Sequence, residues 1–158
     1  MITRRTFLQS SAAAAAFAAS AASARADSTP GVTDTEIKIG QTMPYSGPAS
    51  AYGVIGKADL AYFKMINEQG GVNGRKITLI SLDDAYSPPK TVEQTRKLVE
   101  QEEVLAIVGT IGTPTNSATQ KYLNSKNIPN LFLTSGAERF NDAARQTRCP
   151  STCGLRPE

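Results

Sequence analysis

Apolar residues along this chain switch between two periods, and the elements follow from that alternation. Glu36-Ile-Lys-Ile-Gly-Gln-Thr-Met43 alternates apolar and polar positions and predicts a first strand. From about Tyr52 to Gln69 the spacing turns helical: Val54, Ala58, Ala61 and Met65, with Ile55, Tyr62 and Ile66 beside them, make one apolar face. Gly70-Gly71 stops that helix and Asn73-Gly74 adds a tight turn. Lys76 to Leu82 predicts a second strand ending in Asp83-Asp84. Ser87 and Pro88 read as cap and first turn of a helix running to about Glu102, with Val92, Leu98 and Val99 inward. Leu105 to Val108 is short and wholly apolar, as expected of a strand buried on both faces. A helix from Pro114 to Ser125, a breaker at Asn127-Ile-Pro129 and a fourth strand from Asn130 to Leu133 complete the pattern. Strands alternating with helices of this length predict right-handed βαβ units, an α/β fold built on a doubly wound parallel sheet.

The stretch Ala106-Ile-Val-Gly-Thr-Ile-Gly-Thr-Pro-Thr-Asn116 organises the rest. A strand there runs into a glycine- and threonine-rich turn, and Pro114 suits the first residue of a helix. That leaves backbone N–H groups and hydroxyls at the carboxyl end of a parallel strand, where open α/β sheets bind ligands. Taken alone, the segment reads first as an ordinary helix cap, and the rest of the chain shifts that balance. Three loops are expected to share this rim: Pro44 to Gly53, Gly109 to Asn116, and Thr134 to Glu138. If the second strand lies outside the first, strands one and three flank a topological switch point.

The chain ends differ from this core. Thr3-Arg4-Arg5-Thr6-Phe7-Leu8 is a twin-arginine export signature, followed by an alanine-rich run from Ala12 to Ala22. Ala24-Arg25-Ala26 supplies the small residues a signal peptidase reads. Residues 1–26 are therefore expected to be a signal peptide cleaved before Asp27, and 27–34 a polar leader, with no lipid-anchor cysteine. The expected location is the periplasm. After about Asp142 the periodicity stops, and 143–158 holds both cysteines, Cys149 and Cys153. Two thiols without further ligands make no metal site. This segment reads as a disordered tail or as an out-of-frame or truncated end. The second is preferred, because a doubly wound sheet should not halt after four strands.

Composition narrows the classes. The chain has 158 residues, 40% hydrophobic and 20% charged, as in soluble globular proteins. A net charge of +3, with no basic stripe interleaved with aromatics, gives no case for nucleic acid. Histidine is absent, removing the commonest general base and metal ligand. Asp83-Asp84 invites a metal reading, but a solvated strand end or a cap to the next helix is the plainer one. The acidic pair also suggests a phosphoacceptor receiver, whose pair follows the first strand and not the second. No nucleophile elbow or Walker lysine motif occurs. The expectation is a binding module, not an enzyme, without cofactor or metal.

The ordered set Glu36-Ile-Lys-Ile-Gly, Tyr45-Ser-Gly-Pro, Tyr52-Gly53, Ile66-Asn-Glu-Gln-Gly-Gly-Val-Asn-Gly74, Asp83-Asp84 and Gly109-Thr-Ile-Gly-Thr-Pro-Thr-Asn116 resembles the periplasmic substrate-binding proteins of the leucine/isoleucine/valine type, which serve ATP-binding-cassette importers. The resemblance covers residues 35–142 and implies a partial first lobe of a type I periplasmic binding protein, a receptor that closes on its solute like a hinge. It implies an inner-membrane permease as partner. It further implies ligand contacts at Tyr52, at Thr113, at the small-residue turn Gly136-Ala137, and at Glu138. Leucine-type proteins place a threonine at this last position. An acid near a ligand carboxylate repels it unless paired, with Arg139 the candidate, and this departure argues against plain branched-chain specificity.

A carboxylate is satisfied by two or three charge-assisted donors at a helix amino end. Thr113, Ser135 and Thr115 are donors of that kind, and Tyr52 and Tyr45 offer flat walls, although Tyr52 also suits packing on its own helix. The expected solute is a branched-chain or hydrophobic amino acid or a related small carboxylate. Aromatic acids, amides or other solutes are the alternative within the family, and a non-functional truncated fragment or a receiver-like domain the alternatives outside it.

Overall fold

The computed structural model describes residues 29–140, so the expected signal peptide and tail lie outside the described residues. Four parallel strands, β1 (Glu36–Met43), β2 (Lys76–Asp83), β3 (Ala106–Val108) and β4 (Asn130–Leu131), form one sheet in the order β2-β1-β3-β4. The helices α1 (Gly53–Glu68), α2 (Pro88–Glu100) and α3 (Thr113–Lys126) connect them. The doubly wound α/β reading holds. With β2 outside β1, the strand order reverses between β1 and β3, and their carboxyl ends flank the switch point.

Apolar packing concentrates beneath α2 and α3. Leu98, Val104, Ile107 and Leu123 form the buried cluster, with Ile80, Leu82, Val99, Tyr122 and Ile128 packed against it. β1 presents Gly40 here because a Cβ would stand only 3.0 Å from Ile107 Cδ1 and 3.1 Å from Leu98 Cδ1. Leu98 is inward as expected, but Thr91 and Thr95 share its buried face while Val92 is only half-buried. The Arg96 guanidinium lies 5.4 Å from the centre of the Tyr122 ring, whose hydroxyl donates to Glu100 (2.8 Å), joining α2 to α3.

The other face of the sheet is organised by hydrogen bonds. Gly53 and Gly56 are the buried residues of α1. A Cβ on Gly56 would collide with the Tyr45 hydroxyl, and one on Gly53 would stand 3.1 Å from the Tyr45 ring. The Tyr45 hydroxyl bonds Ser81 Oγ (2.5 Å), Ser81 donates to Gln41 Oε1 (2.9 Å), and Gln41 Nε2 donates to Asp59 (2.7 Å). At the far end of α1, the Asn67 amide exchanges two bonds with the Ile77 backbone (2.7 and 2.8 Å). Because the glycine and amide side of α1 meets the sheet, the expected apolar face does not: Val54, Ile55, Tyr62 and Met65 are exposed, Val54 at 65%. Spacing alone says which positions share a face, not which face packs.

Two boundaries also shift. The expected β4 ran to Leu133, but Phe132 adopts φ 53 and is exposed, which ends the strand at Leu131. Parallel pairing resumes only as an isolated bridge, Ile111 to Thr134. Gly112, at φ 102, caps α3, so Thr113 and not Pro114 is its first residue.

Leu98→Ala is expected to cost about 2–5 kcal/mol in urea unfolding, and Val54→Ala no more than about 0.5 kcal/mol. A comparable loss at Val54 would mean that the α1 stripe is covered in solution.

Candidate ligand site

Two strand ends build the rim. On the β1–β2 side a single carboxylate collects the loops. Asp83 Oδ1 accepts the N–H groups of Tyr45 (2.9 Å), Ser46 (3.0 Å) and Ala85 (3.1 Å); Oδ2 accepts the Ser46 hydroxyl (2.5 Å) and the Lys90 ammonium (2.8 Å). Burial by itself raises the Asp83 carboxyl, but the donations from Lys90, Ser46 and Ala85 outweigh it and hold the group well below the usual carboxylate range. Asp84 is 1% exposed and accepts from Tyr86 N–H (2.9 Å) and Thr91 Oγ1 (3.0 Å). Burial raises its carboxyl despite those donors. The Thr42 hydroxyl lies near enough to Asp84 to favour the charged form without closing to hydrogen-bond geometry. Both acids are occupied in holding chain turns; Asp83 keeps part of its side chain in solvent and Asp84 is buried. Among the described residues no three such groups form a metal cluster.

On the β3–β4 side the turn after β3 is pinned to the turn after β4. Gly112 N–H donates to Thr134 O (2.9 Å) and Thr134 N–H to Thr110 O (2.8 Å). The Thr110 hydroxyl donates to Asn116 Oδ1 (2.6 Å), which also accepts Asn130 Nδ2 (3.2 Å). The result sets the Thr113 and Ser135 hydroxyls 2.8 Å apart. One of their two protons makes that bond, so one O–H remains to donate elsewhere. Ser135 Oγ also accepts Ala137 N–H (3.2 Å). Helix geometry leaves the Thr113 and Thr115 N–H groups without an intrahelical acceptor, adding two donors and the positive end of the dipole. Gly136 is exposed, with open space where a side chain would stand.

The expected site residues therefore divide. Thr113 and Ser135 are in contact, with Gly136 and Ala137 in the same turn. Tyr52 stands at the start of α1, 54% exposed. Glu138 is exposed in a short 3-10 turn, Glu138–Phe140. Arg139 does not pair with it; its guanidinium lies 5.1 Å from the centre of the Phe140 ring. Two expectations fail. Thr115 is buried and its hydroxyl donates back to Ile111 O (2.5 Å), so that hydroxyl is spent inside the turn. Tyr45 is a wedge under α1, not a wall at the rim. One residue went unnoticed in the sequence: Tyr86, which lies against Gly112. No periodicity marks a lone tyrosine between an acid pair and Ser-Pro.

A parallel sheet with its strand-order reversal beside a cluster of free donors defines an α/β binding lobe in architecture. The chain belongs to the periplasmic binding protein family, whose model matches residues 36–152. Leu/Ile/Val-binding protein homolog 7 of Brucella suis is 30% identical over 108 residues, 68% of this chain and 27% of that protein. Among solved structures, a possible leucine/isoleucine/valine-binding protein from Rhodopirellula baltica superposes with a TM-score of 0.65 at 30% identity, covering 75% of this chain and 32% of its own. A fatty acid ABC transporter substrate-binding protein from Thermomonospora curvata gives 0.58 at 33% identity, covering 68% and 27%. The chain thus spans about a third or less of the length of these relatives. The family is one of periplasmic binding proteins, and both structural neighbours are binding proteins by name.

Asp83→Asn is expected to lower stability by about 1–3 kcal/mol at neutral pH, since it removes charge-assisted acceptors. The sign follows from the depressed carboxyl: its contribution is present above the unfolded-state value of 3.8 and is lost as pH falls through the lower folded value. The gap between wild type and variant should be full at pH 5–7, begin to narrow below about pH 4 and go on shrinking as pH falls towards the lower folded value. A gap independent of pH, in parallel urea titrations, would show that Asp83 acts without its charge.

Proposed function

We propose that this chain carries the first-lobe half of the solute site of an ABC-importer binding protein, and that this half grips the carboxylate of a small acid with an apolar or aromatic body. The carrying observation is the Thr113–Ser135 hydroxyl pair at the amino end of α3, 2.8 Å apart with a proton to spare. Around it stand the amino end of α3 and the open backbone of Gly136, with Ala137 beside it in the same turn. Tyr52 supplies an exposed aromatic surface for the solute body, and Glu138 bounds the cradle with a free carboxylate suited to a solute ammonium.

The relatives support a shared carboxylate. One is a Leu/Ile/Val-binding homologue and another a fatty acid binder, and their solutes have in common an acid head and an apolar tail. Amino acids and non-amino carboxylates, aromatic acids among them, are therefore both candidates. The working location is the periplasm, reached by the twin-arginine signal over residues 1–26 and followed by cleavage before Asp27. The working partner is an inner-membrane permease, with residues 35–142 as the lobe and 143–158 as an aberrant tail.

The described residues present donors from one side of the solute only. Saturable binding is therefore expected to be weak, on the order of a millimolar Kd. An NMR titration of the chain with leucine, 4-methylpentanoate and benzoate tests this. Binding should weaken at least tenfold in Thr113→Val with Ser135→Ala, while the folded spectrum persists. Micromolar binding would overturn the half-site reading; binding that survives the double substitution would move the site elsewhere.

A further inference from the structure

Tyr86 sits where a connecting turn has no evident need of it. Ala85 (φ 50) and Tyr86 (φ 58) both adopt the left-handed region that L-residues disfavour. Hydrogen bonds hold them there: Asp83 accepts the Ala85 N–H, Asp84 Oδ1 accepts the Tyr86 N–H (2.9 Å), and the Asp84 carbonyl accepts the Ser87 N–H (2.9 Å). The turn follows β2, yet the ring reaches past the end of β1 to the cap of α3. A Cβ on Gly112 would stand 2.7 Å from Tyr86 Cε2 and 2.8 Å from its hydroxyl, so glycine there makes room for the ring. The hydroxyl arrives beside the residue that precedes Thr113. It is not fully buried, and it has no hydrogen-bond partner among the described residues.

We propose that Tyr86 is a further ligand-binding residue, its phenol hydroxyl giving the solute carboxylate a hydrogen bond beside those from the Thr113–Ser135 pair; this rests on the carboxylate reading above. Packing over Gly112 uses the ring and leaves the hydroxyl idle. A phenol donor at a helix amino end adds a directed charge-assisted bond to an anion already favoured by the dipole. A rim whose other side-chain donors are small aliphatic hydroxyls thereby gains an aromatic edge, which selects planar or branched acids over linear ones of equal length. The two left-handed residues and the glycine at position 112 then serve one purpose, aiming a side chain from β2 into a site built on β3 and β4.

The test uses the full chain with [13Cζ]tyrosine, the Tyr86 resonance being identified by its loss in Tyr86→Phe. Benzoate and 4-methylpentanoate are the probes. The expected results are a shift of the Tyr86 Cζ resonance on saturation and an affinity about tenfold weaker in Tyr86→Phe, a variant that keeps the ring and hence the packing on Gly112. A purely structural tyrosine would leave both readouts unmoved. If Thr113→Val weakens binding while Tyr86→Phe does not and the Cζ resonance stays put, this proposal is overturned and the carboxylate reading stands. If neither acid binds the wild-type chain, both fall.

Discussion

Five donors converge on one carboxylate, and the rim of the sheet depends on that convergence. Asp83 gathers the loop after β1, the turn after β2 and the first turn of α2 onto two oxygen atoms. Once Pro44 to Ser46 are held there, the Tyr45 ring has only the underside of α1 to occupy, and Gly53 and Gly56 are the residues that let it in. The Ser81, Gln41 and Asp59 side chains then complete a polar interlayer between sheet and helix. Such an interlayer is unfavourable unless each member is satisfied, and its linked bonds fix the rotation of α1 about its axis. The outward stripe of Val54, Tyr62 and Met65 follows from that fixed rotation.

The two sides of the switch point use hydrogen bonds to opposite ends. Around Asp83 and Asp84 the donors and acceptors are consumed in holding backbone. Around Gly112 they are consumed only in part. Thr110, Asn116 and Asn130 bind one another and lock the turns after β3 and β4 together, and the neighbouring Thr113 and Ser135 hydroxyls are left with a surplus proton. A rigid, saturated frame beside an unsaturated cluster is what holds donors ready for a ligand without reorganisation at the moment of binding.

How much of this was legible in the sequence depends on the kind of information each feature needs. Strand and helix positions came from local periodicity, which Ile37, Ile39 and Met43 or Leu98 and Val99 carry in their own spacing. Strand order was legible only as a condition, that the second strand lie outside the first, and the structure meets it. The inward side of α1 did not, because it is set by a tyrosine in a preceding loop and an amide on a neighbouring strand, contacts between residues far apart in sequence. The Thr113–Ser135 meeting was legible as two hydroxyls on adjacent loops, but not their distance. Thr115 and Thr113 are the same residue type two positions apart, and only helix phase sends one hydroxyl inward and the other to the rim. Tyr45 was misplaced and Tyr86 missed for a related reason: a ring goes where glycines make space, and neither glycine pairing is visible in a linear reading.

The left-handed residue that interrupts β4 has a consequence for how this molecule meets others. A sheet edge recruits foreign strands through an unbroken ladder of outward N–H and C=O groups. Phe132 breaks that ladder after two residues, and parallel pairing returns only at the single Ile111–Thr134 bridge, so among the described residues this border is a short template for cross-strand growth. β2, paired over its whole length with β1, keeps a straight outer margin of eight residues. Among the described residues, the two borders of this sheet therefore differ as templates for a foreign strand: eight residues along β2 against two along β4.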